Sequence, residues 1–257
     1  MITVGIDAGI ENIKAVVLKD GKVLARAMGS SGGAGRAKAA QDVYNQALAK
    51  AGINPSQVDK VVATGQGKWD ARFATSRVVE PVADVKAAAW LSPSSRAVID
   101  IGADQARAVQ YDASGKITQY TLNHKCAAGI GLFLESACSM LGMSMEEFSR
   151  AAAASGNGVR VNDQCAALAE LDVVALIHNN TPKNKIAQAI NCAMAAKLSA
   201  MLNEMLDPIQ KEVVLLGGVT NNAGLMRAFE KRLGINCIIP EQPQFAGALG
   251  AALIAAG

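Results

Sequence analysis

The sequence predicts an α/β protein built from two similar domains. A strand–turn–strand pattern with an Asp-x-Gly turn occurs twice, and each copy is followed by a stretch with helical periodicity. A further apolar strand ends in a pair of glycines in the last third of the chain. Because each such unit must bury one face of its sheet, the repetition indicates two domains of one kind that face each other.

The first copy of the repeat begins at Val4. Residues 4–9 (Val-Gly-Ile-Asp-Ala-Gly) read as a strand that ends in the turn, and residues 14–17 read as the returning strand. A Gly turn and a third strand follow at residues 21–23. The Gly- and Ser-rich residues 29–35 are predicted to form a surface loop, and residues 36–51 a helix.

The second copy has the same order of features. Residues 98–102 (Val-Ile-Asp-Ile-Gly) match the first strand and turn, while residues 107–109 and 115–117 match the second and third strands. A helix is predicted from residue 131 to residue 141 and onward. We therefore expect one half at residues 1–92 and the other at 93–257, with packing of the carboxyl-terminal helix on the first half left open.

The turns carry groups that suit a phosphate. Glycine at positions 9 and 102 lets backbone N–H groups approach phosphate oxygens closely, and the neighbouring carboxylates of Asp7 and Asp100 can hold Mg²⁺ through water. The strand at residues 213–219 ends in a Gly pair before a helix, which fits a turn beneath a nucleotide. A nucleotide site is therefore predicted. The alternative is that these are ordinary hairpin turns, in which Asp and Gly are common.

Two of the five cysteines stand where helices are predicted to begin. A helix amino terminus favours a thiolate or an anionic metal–sulfur cluster, so Cys126 and Cys165 are candidate ligands. A cubane cluster needs four thiolates, and two copies of the chain would supply them. The alternative is that these cysteines are small core residues. Cys138, Cys192 and Cys237 look structural.

The composition indicates which partners and which cellular location are expected. Apolar residues make up 51% of the chain, which allows a sizeable core, and the net charge of +3 is too small to indicate a nucleic-acid or anionic-membrane partner. No secretory signal or membrane-spanning segment is evident. A cytoplasmic, reducing location is therefore expected.

An ordered set of motifs resembles a known family. The chain is similar to the ATPase activators of 2-hydroxyacyl-CoA dehydratases and benzoyl-CoA reductases, within the acetate-kinase, sugar-kinase, Hsp70 and actin superfamily. The resemblance covers nearly the whole chain, and the Cys-Ala-Ala-Gly segment with a second Cys before Ala-x-x-Ala-Glu is specific to the family. The motifs lie at residues 5–9, 63–65, 99–102, 125–129, 216–219 and 247–252.

The resemblance implies a fold, a cofactor and partners. The fold would be two ribonuclease-H-like domains with an ATP cleft between them. One [4Fe-4S] cluster would lie between two subunits, held by Cys126 and Cys165 of each, in a homodimer or in a heterodimer with a paralogue. ATP hydrolysis would drive a low-potential electron from ferredoxin or flavodoxin to a reductase or dehydratase component that holds the acyl-CoA.

Site roles follow by position in the motifs. Asp7 and Asp100 would hold Mg²⁺ or orient the attacking water, and Asp104 and Gln105 would help to position that water. Lys14 either reaches a phosphate or faces solvent. The residues expected to bind ATP or ADP are Gly9, Lys14, Gly102, Gly217, Gly218 and Asn221.

Two other functions stay open from the sequence. One is a small-molecule kinase of the same fold without a cluster. The other is a weakly catalytic paralogue that binds nucleotide and serves as a dimer partner, because Ile10 stands where the family's first loop usually carries a hydroxyl.

Overall fold

The computed structural model describes residues 1–123, 129–153, 158–205, 209 and 212–257. Within these residues two compact units are formed. The first comprises Met1–Val98, Tyr111–Thr118 and Pro240–Gly257, and the second comprises Ile99–Gln110 and Gln119–Ile239. No helix in the described ranges is long and apolar enough to cross a membrane.

The described residues form ten strands and eight α-helices. The strands are β1 (Ile2–Ala8), β2 (Asn12–Lys19), β3 (Lys22–Ser30), β4 (Lys60–Thr64), β5 (Ser76–Arg77), β6 (Ala97–Ile101), β7 (Ala106–Tyr111), β8 (Ile117–Leu122), β9 (Glu212–Leu216) and β10 (Asn236–Ile238). The helices are α1 (Arg36–Ala51), α2 (Glu80–Leu91), α3 (Ile130–Leu141), α4 (Met145–Ala153), α5 (Ala166–His178), α6 (Lys183–Leu202), α7 (Ala223–Leu233) and α8 (Ala246–Ala256).

The sheet of the first unit has the order β3-β2-β1-β4-β5. Strands β1, β2 and β3 are antiparallel neighbours, and β4 runs parallel to β1. Side chains alternate between the two faces of the sheet. Val4 and Ile6 lie in the core that includes α1, whereas the opposite face packs on α8. A Cβ atom at Gly5 would overlap the carbonyl oxygen of Ala248, so glycine permits this close approach of β1 to α8.

The sheet of the second unit has the order β10-β9-β6-β7-β8, and β9 and β10 are parallel. Helices α4, α6 and α7 pack on one another in the same unit. Both sheets therefore contain the predicted three-stranded repeat, β1-β2-β3 in one and β6-β7-β8 in the other.

Two local predictions need correction. Residues 29 and 30 belong to β3 and not to a surface loop, because Gly29 and Ser30 pair with Ile13 and Asn12 of β2. Residues 33–35 then form a short 3-10 turn that leads into α1. Cys192 lies exposed on α6, so the expectation that it is a structural residue of the core is wrong.

Candidate functional site

Asp7 lies near the end of β1 and is paired with a cation on the neighbouring strand. Its Oδ2 is 3.5 Å from Lys14 Nζ, and both side chains are about four-fifths buried, with exposures of 19% and 18%. The antiparallel register places Lys14 directly opposite Asp7. Lys14 is therefore held beside the carboxylate on the sheet face that packs on α8.

The turn after Asp7 is closed by its own backbone. The N–H of Gly9 donates to the carbonyl oxygen of Asn12 at 3.1 Å. A Cβ atom at Gly9 would lie 2.8 Å from that oxygen and 3.3 Å from Lys14 Nζ, so a larger residue would disturb the turn. Within the described residues the N–H groups of Ile10 and Glu11 have no backbone acceptor.

Two glycines from distant segments flank the Asp7 carboxylate. A Cβ atom at Gly65, directly after β4, would lie 2.6 Å from Asp7 Oδ1, and one at Gly247 would lie 3.1 Å from Oδ2. Gly247 belongs to the first turn of α8, whose amino-terminal end carries partial positive charge. The resemblance included both segments without giving these residues a role. The signal available for Gly65 was its place two residues after the end of the apolar run at residues 61–63.

The second unit repeats this construction. Asp100 Oδ1 lies 3.3 Å from Arg107 Nη2, with side-chain exposures of 11% and 13%. The N–H of Gly102 donates to the carbonyl oxygen of Gln105 at 2.9 Å, as Gly9 donates to Asn12. Gln105 thus closes the turn through its backbone, and Asp104 lies within the turn, partly buried.

The Gly pair after β9 lies beside this turn. Gly217 adopts φ 90°, and a Cβ atom there would overlap the carbonyl oxygen of Ile101. The following 3-10 turn, Gly218–Asn221, is held by the Asn221 side chain, whose Nδ2 donates to the carbonyl oxygen of Gly218 at 3.1 Å. Asn222 then accepts the N–H of Leu225 and so caps α7. The expected positions at Gly217, Gly218 and Asn221 are therefore brought next to the end of β6.

Cys165 occupies the N-cap position of α5 and is exposed. Its N–H donates to Asn162 Oδ1 at 2.8 Å, and the N–H of Asn162 donates to Asp172 Oδ2 at 2.7 Å. The loop that presents the thiol is thus tied back to α5. Cys126, the other predicted ligand, lies outside the described residues. In the ranges that are described, no three His, Cys, Asp or Glu side chains are grouped as a metal site.

Contacts connect the Asp100 turn to α3 and α5. The N–H of Leu132, in the first turn of α3, donates to the carbonyl oxygen of Ala103 at 3.0 Å. A Cβ atom at Gly129 would overlap that same oxygen, so only glycine allows this contact. Ser136 Oγ on α3 donates to Glu170 Oε1 on α5 at 3.0 Å.

Two other thiols lie in surroundings that raise the pKa of the thiol. Burial, with a further contribution from Glu230, raises the pKa of Cys237 to about 12. Burial also raises the pKa of Cys138, as does Glu135. The thiolate is the form that binds metal, and the surroundings of both thiols disfavour that form in the free protein.

Two like α/β units, each with a carboxylate–cation pair at an Asp-x-Gly turn, define a class: two-domain proteins with the fold of actin, Hsp70 and the sugar kinases. The fold of a ROK family glucokinase from Streptomyces griseus superposes with a TM-score of 0.59 at 14% identity, covering 100% of this chain and 99% of the other. The predicted fold class is thereby confirmed. Residues 4–255 match the BadF/BadG/BcrA/BcrD ATPase family, and the chain belongs to that family.

Two relatives whose names state an activity are similar to this chain over almost their whole length. The activator of lactoyl-CoA dehydratase from Anaerotignum propionicum is 33% identical over 255 residues, which is 99% of this chain and 97% of the relative. One of the subunits of benzoyl-CoA reductase from Thauera aromatica is 31% identical over 261 residues, 98% of this chain and 92% of the relative. These two relatives confirm the resemblance found in the sequence.

One similar solved structure contains a bound nucleotide analogue. The activator of the 2-hydroxyisocaproyl-CoA dehydratase from Clostridium difficile, with bound ADPNP, superposes with a TM-score of 0.92 at 30% identity. The match covers 99% of this chain and 94% of that protein.

Proposed function

We propose that this protein hydrolyses ATP and uses an iron–sulfur cluster to drive low-potential electron transfer to a reductase or dehydratase component. The observation that carries the proposal is the exposed Cys165 at the amino terminus of α5, linked through α3 to the turn that follows Asp100. The names of the dehydratase activator and of the benzoyl-CoA reductase relative support this choice of partner.

The nucleotide is proposed to lie between the halves at residues 1–92 and 93–257. Asp7 and Asp100 would hold Mg²⁺ through water, and Asp104 and Gln105 would orient the attacking water. Lys14 and the turns at Gly9 and Gly102 would contact phosphates, while Gly217, Gly218 and Asn221 would lie against the adenosine. Phosphoryl transfer depends mainly on positioning and charge stabilisation, so this set of groups suffices.

Asp7 and Asp100 are each paired with a cation, and these cations could also bind phosphate. Lys14 and Arg107 bring positive charge to the turns where phosphate would bind. A polyphosphate competes with Asp7 and Asp100 for these cations, and a divalent cation compensates the carboxylates. The chain therefore holds the charges that a Mg²⁺–nucleotide complex would rearrange.

The cluster proposal depends on the chemistry of the cysteine positions. Cys165 is exposed at the N-cap of α5, where a metal–sulfur cluster could reach it, and Cys126 is proposed as the second ligand. A second copy or a paralogous subunit would supply the other two thiolates. When bound, a [4Fe-4S] cluster supplies one-electron transfer at low potential. Ferredoxin or flavodoxin would be the donor, in the cytoplasm.

Iron analysis under anaerobic conditions tests the cluster. We expect about four iron and four sulfide per dimer in the wild-type protein. Cys165→Ser should lose the iron and retain nucleotide binding. Cys192→Ser is the matched control, because Cys192 is also exposed but lies within α6, and it should keep the iron. Equal iron content in the wild-type protein and both variants would contradict the assignment of Cys165.

Phosphate release separates the proposal from its two alternatives. The proposed function predicts ATP hydrolysis without a small-molecule acceptor, in a protein that contains iron. A kinase would transfer the phosphoryl group to an added metabolite and contain no iron. A weakly catalytic paralogue would bind ATP and iron but release almost no phosphate.

A further inference from the structure

Thr64, the last residue of β4, has a buried hydroxyl without a partner. The residue is 1% exposed, and among the described residues its Oγ1 makes no hydrogen bond. Two other buried threonines behave differently: Thr3 Oγ1 donates to the carbonyl oxygen of Ala252 at 3.0 Å, and Thr220 Oγ1 donates to that of Gly217 at 2.7 Å. A buried unpartnered hydroxyl destabilises the fold, so its presence at Thr64 needs an explanation.

The sheet register places this hydroxyl next to Asp7. Strands β1 and β4 are parallel, and Thr64 is the register partner of Asp7. Val62, two residues earlier, packs on Ala251 and Ala255 of α8. Because side chains alternate along a strand, Thr64 faces α8 as well, on the side where Asp7 approaches Gly247. The two side chains therefore occupy neighbouring positions on one face.

The ion pair between Asp7 and Lys14 indicates when the Thr64 hydroxyl could bond to Asp7. In the structure Lys14 Nζ is 3.5 Å from Asp7 Oδ2, and a phosphate at the turn would compete for this cation. Once Lys14 turns to the phosphate, the carboxylate loses a donor. Thr64 is a donor across the adjacent strand, and rotation about its Cα–Cβ bond changes the direction of the hydroxyl without moving the backbone.

We infer that Thr64 is a positioning residue whose hydroxyl donates a hydrogen bond to the Asp7 carboxylate when nucleotide is bound. The inference rests on the proposed function, because it assumes that a phosphate draws Lys14 away. The hydroxyl is left without a partner in the free protein and gains one in the complex. The hydroxyl should therefore destabilise the free protein and stabilise the nucleotide complex.

Isosteric substitution tests the inference. Thr64→Val removes the hydroxyl and keeps the shape, so the free protein should melt at a higher temperature than the wild type. The rise in melting temperature caused by Mg²⁺ and ADPNP should become smaller, and kcat/KM for ATP hydrolysis should fall roughly 10- to 100-fold, the size of one hydrogen bond to a charged group. Thr64→Ser retains the hydroxyl and should recover most of the activity.

Thr3→Val is the matched control. It removes a buried hydroxyl from the same sheet face, but one that already has a partner. It should lower the melting temperature of the free protein and leave both kcat/KM and the nucleotide-induced shift unchanged. If Thr64→Val fails to fold, Thr64→Ala should show the same loss of kcat/KM and of the nucleotide-induced shift.

Two outcomes would overturn the inference in different ways. A Thr64→Val protein with wild-type kcat/KM and a wild-type nucleotide-induced shift would refute the role of Thr64 and leave the proposed function intact. A wild-type protein that neither binds nor hydrolyses ATP would refute both.

Discussion

Asp7 and Lys14 face each other across β1 and β2 with 3.5 Å between Oδ2 and Nζ, and the second unit contains the same arrangement in Asp100 and Arg107, at 3.3 Å. In both pairs the cation follows the carboxylate by seven residues. In both turns the glycine two residues after the carboxylate closes the hairpin through its N–H. The repeat thus extends from the sequence pattern to an ion pair and a hydrogen bond.

Removal of either carboxylate charge should stop ATP hydrolysis. Asp7→Asn and Asp100→Asn keep the side-chain volume but lose the charge that would hold Mg²⁺, so kcat should fall at least about 100-fold. Asp20→Asn is the control, because Asp20 is exposed and binds only the amino-terminal ammonium group among the contacts described. Normal phosphate release by both Asn variants would rule out the proposed Mg²⁺ site.

The space beside Asp7 should not tolerate a methyl group. Gly65 has φ 88°, and a Cβ atom would lie 2.6 Å from Asp7 Oδ1. Gly65→Ala should therefore lower both the free energy of unfolding and ATP turnover. Gly21→Ala is the matched control, since Gly21 has φ 76° with open space around it, and it should cost only the backbone strain of about 1–2 kcal/mol. The comparison uses urea unfolding and phosphate release. Equal turnover in the two variants would contradict the role given to Gly65.

The contact between α3 and the Asp100 turn should be needed for full ATP hydrolysis. Gly129 has φ −63°, which any residue can adopt, but a Cβ atom there would overlap the carbonyl oxygen of Ala103. Gly129→Ala should displace this turn and reduce ATP hydrolysis by about tenfold or more. Gly35→Ala, at a position with nothing nearby, should leave the hydrolysis rate unchanged. Retention of full activity by Gly129→Ala would show that the turn does not depend on this contact.

Alkaline pH should destabilise the protein through Cys237. Burial, with a further contribution from Glu230, raises the pKa of this thiol to about 12 in the folded state, from an ordinary value near 9. The folded state then binds the proton more tightly, so the stabilisation is complete below about pH 9 and is lost as the pH rises towards 12. Cys237→Ala should lose less free energy of unfolding than the wild type between about pH 8 and pH 10.5, measured by urea titration. Parallel pH profiles for the two proteins would contradict the raised pKa.

Local patterns in the sequence predicted several elements of the fold correctly. Helix α1 has the predicted bounds, because its periodicity ends at Gly52, which adopts the left-handed conformation that closes a helix. The Asp-x-Gly turns are likewise local, since Gly9 and Gly102 each bond to a carbonyl oxygen three residues ahead. Cys165 was predicted at the start of a helix and is the N-cap of α5.

By itself, the sequence determined the family, the repeated α/β units and the residues of the two turns, because these depend on periodicity and on residue types close together in the chain. Tertiary structure decided which groups surround Asp7. Lys14 reaches it through strand register, while Gly65, Gly247 and Thr64 come from segments far away in the sequence. Such neighbours depend on how strands pair and how α8 packs, and hydrophobic periodicity does not contain that information.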